Sequence, residues 1–98
     1  MSKIKEIDQE IKKRLSGFKY KTIKVEEDDL SFKGFRVIIV SNQFINMKLN
    51  KRFDLIYDLI NKNDHFYREN NLVLNLLNPI EYQRHLLDPK KLKEETSH

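Results

Sequence analysis

The chain has no cysteine, no tryptophan, and only two glycines and two prolines among its 98 residues. Each scarcity closes a class of chemistry. Without cysteine there are no disulfides, no thiolate zinc site, no self-supplied all-cysteine iron–sulfur site and no cysteine nucleophile, which fits a reducing compartment. With glycine confined to Gly17 and Gly34, neither a phosphate-cradling loop nor the Gly-x-x-Gly grip of RNA-binding KH modules can be written. No apolar run approaches the ~20 residues of a membrane span. The N-terminal MSKIKEIDQEIKKRL is charged throughout, unlike the apolar block of a secretory leader. The expectation is a soluble, cytoplasmic chain, or an organellar one if a targeting segment has been removed.

The chemistry-bearing residues are also sparse. Three histidines, His65, His85 and His98, do not make the three or four convergent ligands that a self-contained metal site needs. There is no nucleophile elbow and no Ser/His/Asp set in a supporting motif. The run Glu26-Glu27-Asp28-Asp29 reads as a solvated charge cluster, not an acid/base pair facing across a cleft. The chain is not expected to be an enzyme, and no cofactor is expected on the chain alone.

What is present is a globular composition, 39% hydrophobic and 35% charged. At this length one core forms without staples, burying somewhat over ~60% of the unfolded surface. The formal net charge of +4 is uneven: residues 1–24 carry a surplus of five cations, and the remainder one surplus acid. A basic front end is compatible with nucleic acid or an acidic partner. The solvated face of a helix is the favoured alternative, since nothing aromatic is interleaved there as a stacking platform requires.

Ile4, Ile7, Ile11 and Leu15 recur at helical spacing, predicting a helix over 3–15 with Ser2 before it and Gly17 beyond it. KYKTIKVEE predicts a strand with Ile23 and Val25 on one face, and 26–34 an acidic loop. FRVIIVS, 35–41, is the strongest strand signal, a nearly continuous β-branched run. NQFINM is irregular. Leu49, Phe53, Ile56 and Ile60 mark a second helix over 48–61, followed by a polar connection over 61–70. Residues 71–77 predict a third strand. Asn78-Pro79-Ile80-Glu81 opens a third helix over 79–87 with a cap, Pro at the first helical position and Glu three residues after the cap. Asp88-Pro89 stops it, leaving one domain over 1–88 and a disordered tail over 89–98. The order is αββααβα or αββαβα. Strands one and two should form a hairpin, and strands two and three should run parallel through a crossover. This is an α+β fold, a three-stranded mixed sheet whose one apolar face the three helices cover.

That order, with Phe35, Val37, Ile39, Val40, Ser41 and Phe44, then Leu49, Arg52, Ile56 and Tyr57, then Leu72, Leu74, Pro79, Glu81 and Tyr82, resembles the BolA family over residues 3–87. Each motif alone is weak; the spacing of all three carries the resemblance. It implies a class II KH-like fold and two functional traditions. One is association with a monothiol glutaredoxin through a shared [2Fe–2S] cluster, in iron–sulfur trafficking or redox regulation. The other is nucleic-acid binding in transcriptional regulation. In cluster-sharing members one ligand is a His opening the third strand, and a second is a His or Cys between strands one and two. Aligned on Pro79 and Tyr82, this chain has Asn70 at the first position, and 26–34 holds neither His nor Cys. The family's Arg-His-Arg stretch becomes Arg52-Phe53-Asp54.

Three functional readings stand. The first is a small adaptor, monomeric or weakly dimeric alone, docking on a glutaredoxin. The second is a nucleic-acid binder using a basic face. The third keeps the fold with cluster ligation lost. Lys48, Lys51 and Arg52 at the start of helix two form an expected anion-facing patch, where the helix dipole is already positive, and Lys33 and Arg36 could extend it. Against this stands an ordinary solvated helix turn. His65 is the one candidate replacement ligand, against a solvated loop histidine. Phe53 is expected to pack against the sheet. Tyr57, Tyr67 and Tyr82 are expected at the edge of the core with wet hydroxyls.

Overall fold

Isoleucine at every third or fourth position of a charged segment folds as an amphipathic helix, α1 (Lys3–Arg14). Ile7, Ile11 and Leu15 are at most 2% exposed, while Asp8–Lys12 and Glu10–Arg14 pair across one turn, and Arg14 also reaches the Ile60 carbonyl at 2.6 Å. Two β-rich segments follow, β1 (Thr22–Asp28) and β2 (Gly34–Val40). A 3-10 turn (Asn42–Phe44) leads into α2 (Leu49–Ile60), then α3 (Phe66–Glu69), β3 (Leu72–Leu77) and α4 (Pro79–Leu87). The computed structural model describes residues 3–28, 34–61 and 65–87. The expected tail, most of the acidic loop and Lys33 lie outside the described residues.

The sheet has the order β1-β2-β3. β1 and β2 are antiparallel, with Ile23 opposite Ile39 and Val25 opposite Val37. β2 and β3 are parallel, with Phe35, Val37 and Ile39 level with Leu72, Leu74 and Leu76. Alternation then sorts the side chains. Ile23, Val25, Val37, Ile39, Leu72 and Leu76 join Ile7, Ile11, Ile56 and Ile60 in one core beneath α1 and α2. This is the expected α+β architecture, and α3 decides for the αββααβα order.

The covering of the sheet differs from expectation. The alternate residues Lys24, Glu26, Arg36 and Ile38 face away from that core and, with Tyr82, His85 and Leu86 of α4, line a groove. The third long helix therefore lies on the second face. Ile38 at 4% and Val40 at 2% exposure are too apolar to leave to water, and α4 helps cover that side.

Ser41 joins the two halves of the fold. Fully buried, its hydroxyl donates to the Lys19 carbonyl at 2.7 Å and accepts from Gln43 N–H at 3.0 Å. Its own N–H continues the parallel ladder to the Leu77 carbonyl at 3.0 Å. A buried hydroxyl with both partners holds the turn against the sheet at no desolvation penalty.

Candidate functional site

The short helix α3 sets the position where the resemblance expects a ligand. It lies within the polar connection expected over 61–70, one turn being too short to show a period. Asn61 organises its entry: its Nδ2 donates to the Tyr57 hydroxyl at 3.1 Å and its Oδ1 accepts from Tyr67 N–H at 3.1 Å. The paired asparagines end it. Asn70 stands at the C-cap and donates from Nδ2 to the Phe66 carbonyl at 2.9 Å. Asn71 follows at φ 51°, in the left-handed region that asparagine tolerates better than most side chains. Thus the residue at the family's ligand position closes a helix terminus. Its remaining oxygen is an amide carbonyl, a poor donor to iron, which in shared clusters takes imidazole or thiolate. His65, the candidate replacement, is exposed and precedes α3 at its N-cap. Among the described residues no three His, Cys, Asp or Glu side chains gather as a metal site.

The expected anion-facing patch divides. Lys48 and Lys51 are exposed at the start of α2, where Lys48 is the N-cap and provides no side-chain cap. Arg52 is a correction. It is 5% exposed, and its guanidinium points inward. Nε donates to the Met47 carbonyl at 2.8 Å, and one terminal nitrogen donates to the Leu76 carbonyl at 2.9 Å and to Glu81 Oε1 at 2.7 Å. Its cationic carbon lies 5.6 Å from the Phe44 ring centroid. The Leu76 and Glu81 contacts tie α2 to β3 and α4, and those to Met47 and Phe44 hold it to the turn before α2, so Arg52 is a structural clasp and not an open anion receptor.

Glu81 completes the clasp while capping its own helix. Its Oε1 accepts from Asn78 N–H at 2.8 Å, and the Asn78 side-chain oxygen accepts from Glu81 N–H at 2.9 Å. This is the reciprocal box that the Asn-Pro-Ile-Glu string implies. The Arg52 hydrogen bond, with help from Asn78 N–H and against some desolvation, holds the Glu81 carboxyl below its ordinary value of 4.5.

Turning Arg52 inward rotates α2 away from the expected phase. Its buried stripe is Arg52, Ile56 and Ile60. Leu49 is 70% and Phe53 36% exposed, so Phe53 does not pack against the sheet. Instead it stacks on Tyr57 with centroids 5.6 Å apart and meets Tyr67 edge-on at 5.8 Å. Tyr57 and Tyr67 close the trio at 5.2 Å. Burial, and then the neighbouring Tyr57, push the Tyr67 hydroxyl above its ordinary value of 10.0. Leu49, Phe53 and Tyr57, each four residues apart, form an outward stripe, and Tyr67 connects it to the end of α3 capped by Asn70. The four-residue spacing was legible in the sequence. It is masked because Leu49 and Phe53 fit an inward stripe with Ile56 and Ile60 equally well.

Arg36 stands apart from these groups, half-buried on the second face of the sheet. The basic positions are therefore not one continuous face: Lys48 and Lys51 lie at α2, Arg36 beside α4, and Arg52 within.

No protein-family model and no curated protein sequence matches the chain. Solved structures do. BolA1 from Arabidopsis thaliana aligns with a TM-score of 0.59 at 22% identity, covering 76% of this chain and 93% of that one. A BolA protein homologue from Coxiella burnetii gives 0.58 at 22% identity over 85% of this chain and 99% of its own. The BolA domain of SufE1 from Arabidopsis thaliana gives 0.55 at 24% identity over 76% and 94%. The agreement reaches almost the full length of each neighbour. The chain has the fold of BolA proteins.

Proposed function

We propose that the protein is a non-enzymatic, BolA-like adaptor that docks on a monothiol glutaredoxin without supplying a cluster ligand of its own. Its role would lie in iron–sulfur trafficking or redox regulation, with any cluster held by the partner's ligands. The observation that carries this reading is the outward stripe Leu49–Phe53–Tyr57. Through Tyr67 it is continuous with the α3 terminus capped by Asn70. Exposed aromatic residues grouped beside the family's ligand position are the material of a protein interface, where Tyr and Phe are enriched. Asn70 and the absence of His or Cys from residues 26–34 support docking with ligation lost. Nucleic-acid binding draws less support, because Arg52 is buried in a clasp and the other described candidates are split between α2 (Lys48, Lys51) and the second face of the sheet (Arg36).

The test is anaerobic mixing with a cluster-loaded monothiol glutaredoxin, followed by size-exclusion chromatography, visible absorption and circular dichroism. A complex with an unchanged cluster spectrum is expected, and Phe53→Glu should abolish it. A complex with a changed spectrum would overturn the loss of ligation, and His65→Ala would then test the replacement ligand. No complex would sink the adaptor reading. A steep salt dependence of oligonucleotide binding would then favour nucleic acid. Asn70→His tests the alignment separately: in a chain that still docks, it should strengthen cluster sharing.

A further inference from the structure

One end of the sheet gathers lysines and exposed apolar side chains. β1 starts there, with Thr22 opposite Val40, and β2 and β3 finish there, with Val40 level with Leu77. Internal contacts hold together the turn before β1, the turn after β2 and the starts of α2 and α4. The Phe18 and Phe44 rings are 5.7 Å apart, the Arg52 guanidinium lies over Phe44, and Arg52 reaches Glu81. Ser41 adds bonds to the Lys19 and Leu77 carbonyls. Residues beside these in sequence stand outside: Tyr20 is 38%, Ile45 45% and Ile80 60% exposed. Leu49, the first residue of the outward stripe on α2, borders them. Lys19, Lys21, Lys48 and Lys51 are exposed on the same segments, and none has an ion pair among the described residues. Neither 18–25 nor 40–53 contains Asp or Glu, and the carboxylate that α4 brings, Glu81, is already held by Arg52. The acids of β1, Glu26, Glu27 and Asp28, collect where that strand finishes, about 20 Å along it.

We propose that this end of the fold is a contact surface for an anionic lipid bilayer. The four lysines meet the acidic headgroups, Ile45 and Ile80 enter the headgroup boundary, and Tyr20 sits at the water interface. Lysine suits such a position, because its stem lies along apolar material while its ammonium stays among the phosphates. Composition separates a bilayer from other acidic partners. Protein interfaces are depleted in lysine and enriched in arginine and aromatic residues, and single-stranded nucleic acid calls for stacking platforms. This surface offers four lysines, the aliphatic Ile45, Leu49 and Ile80, and a single tyrosine. The same headgroups repel the acidic end of β1, so the charge distribution orients the chain as well as attracting it. No described helix is long and apolar enough to cross a bilayer, so the contact is peripheral. Ile45 and the lysines are not members of the Phe53, Tyr57 and Tyr67 group, so the proposal stands whether or not that group docks on a protein.

The test is co-sedimentation of the intact chain with vesicles of phosphatidylcholine mixed with phosphatidylserine, against vesicles of phosphatidylcholine alone. Saturable partitioning onto the mixed vesicles only is expected, weakening as salt is raised. Lys21→Gln and Lys48→Gln should each weaken it about fivefold, the worth of one lysine near an anionic surface. Ile45→Asp, with an unchanged urea midpoint as the check on folding, should weaken it by about tenfold or more. Lys5→Gln removes the same charge near the start of α1 and should change it less than about twofold. A lipid spin-labelled at its headgroup should broaden the amides of Tyr20, Ile45 and Leu49 before all others. Absence of partitioning, an equal loss in Lys5→Gln, full retention in Ile45→Asp, or broadening centred elsewhere would each overturn the proposal. Salt-sensitive oligonucleotide binding without vesicle binding would overturn it too, and would give the surface to nucleic acid.

Discussion

Replacing Glu81 with alanine removes the carboxylate opposite a guanidinium that is 5% exposed and the acceptor for Asn78 N–H. Breaking a fully buried ion pair from one side costs about 3–5 kcal/mol, because the surviving charge loses its compensation. Here Glu81 keeps 38% of its side chain in water, so solvent can reach part of the vacated position and the cost falls below that range, to about 2–2.5 kcal/mol. Losing half of a capping box adds ~0.5–1 kcal/mol. The sum is about 3 kcal/mol. In a chain of this size a urea slope of roughly 1–1.5 kcal/mol/M converts it into a midpoint drop of about 2–3 M.

The decisive comparison is a cycle with Arg52→Met. In that background the buried cation is already gone, so Glu81→Ala should cost only its capping share, about 1 kcal/mol. A midpoint drop under ~0.5 M in the single variant, or additivity within ~0.5 kcal/mol, would show that the contact behaves as a screened surface pair. The clasp would then not exist in solution. Acid provides a second readout. The folded-state pKa of Glu81 lies below its ordinary value of 4.5. Its contribution is therefore fully present above the unfolded-state value and is lost as pH falls through the folded-state one. Glu81→Gln, which keeps an oxygen for the cap, should be less stable than the parent at neutral pH and should converge with it as acid titrates the parent.

Tyr67 gives the alkaline counterpart. Its pKa is raised by burial, so its contribution is present below the unfolded-state value near 10 and is lost as pH rises through the folded-state one. Tyr67→Phe should flatten that loss, measured by urea midpoints between neutral and strongly alkaline pH. At Asn71, held at φ 51°, glycine should be neutral or stabilising by up to ~1 kcal/mol, whereas valine should cost about 1–2 kcal/mol; equal midpoints for the two would deny the left-handed turn. Phe53→Glu should cost no more than ~1 kcal/mol, the worth of an exposed aromatic contact. A larger thermal shift would mean that Phe53 is a packing residue and not part of a docking face.

Most of the fold is visible in the sequence because its elements bury one face each. Ile7 and Ile11 on α1, and the alternation of Val37 and Ile39 on β2, are set by period alone. The Asn78–Glu81 box could be read because its chemistry is local. Errors arise where a distant partner decides. Nothing within α2 says that Arg52 turns inward. The arginine is admitted to the interior by the Leu76 carbonyl and by Glu81, 24 and 29 residues away. Once it occupies the inward position, Phe53 is rotated outward into its contacts with Tyr57 and Tyr67. A hydrophobic pattern read alone assigns charge to the surface and aromatics to the core, and here both assignments are reversed by one long-range pair.

The same reasoning bears on the substituted ligand position. A residue opening a strand immediately after a one-turn helix must reconcile two backbone directions. In this chain two asparagines do so: one bonds the last helical carbonyls and the next adopts a left-handed conformation. An imidazole at position 70 would give up the Nδ2 bond to Phe66 and gain a nitrogen donor. The position can therefore favour a helix terminus or a ligand, and asparagine favours the terminus. The outward aromatic stripe is not part of that exchange. Its residues make no hydrogen bond to Asn70 among the described residues, and they reach the surface because Arg52 is held by Glu81. In the proposed reading docking and ligation would thus rest on different residues, so the first could persist without the second.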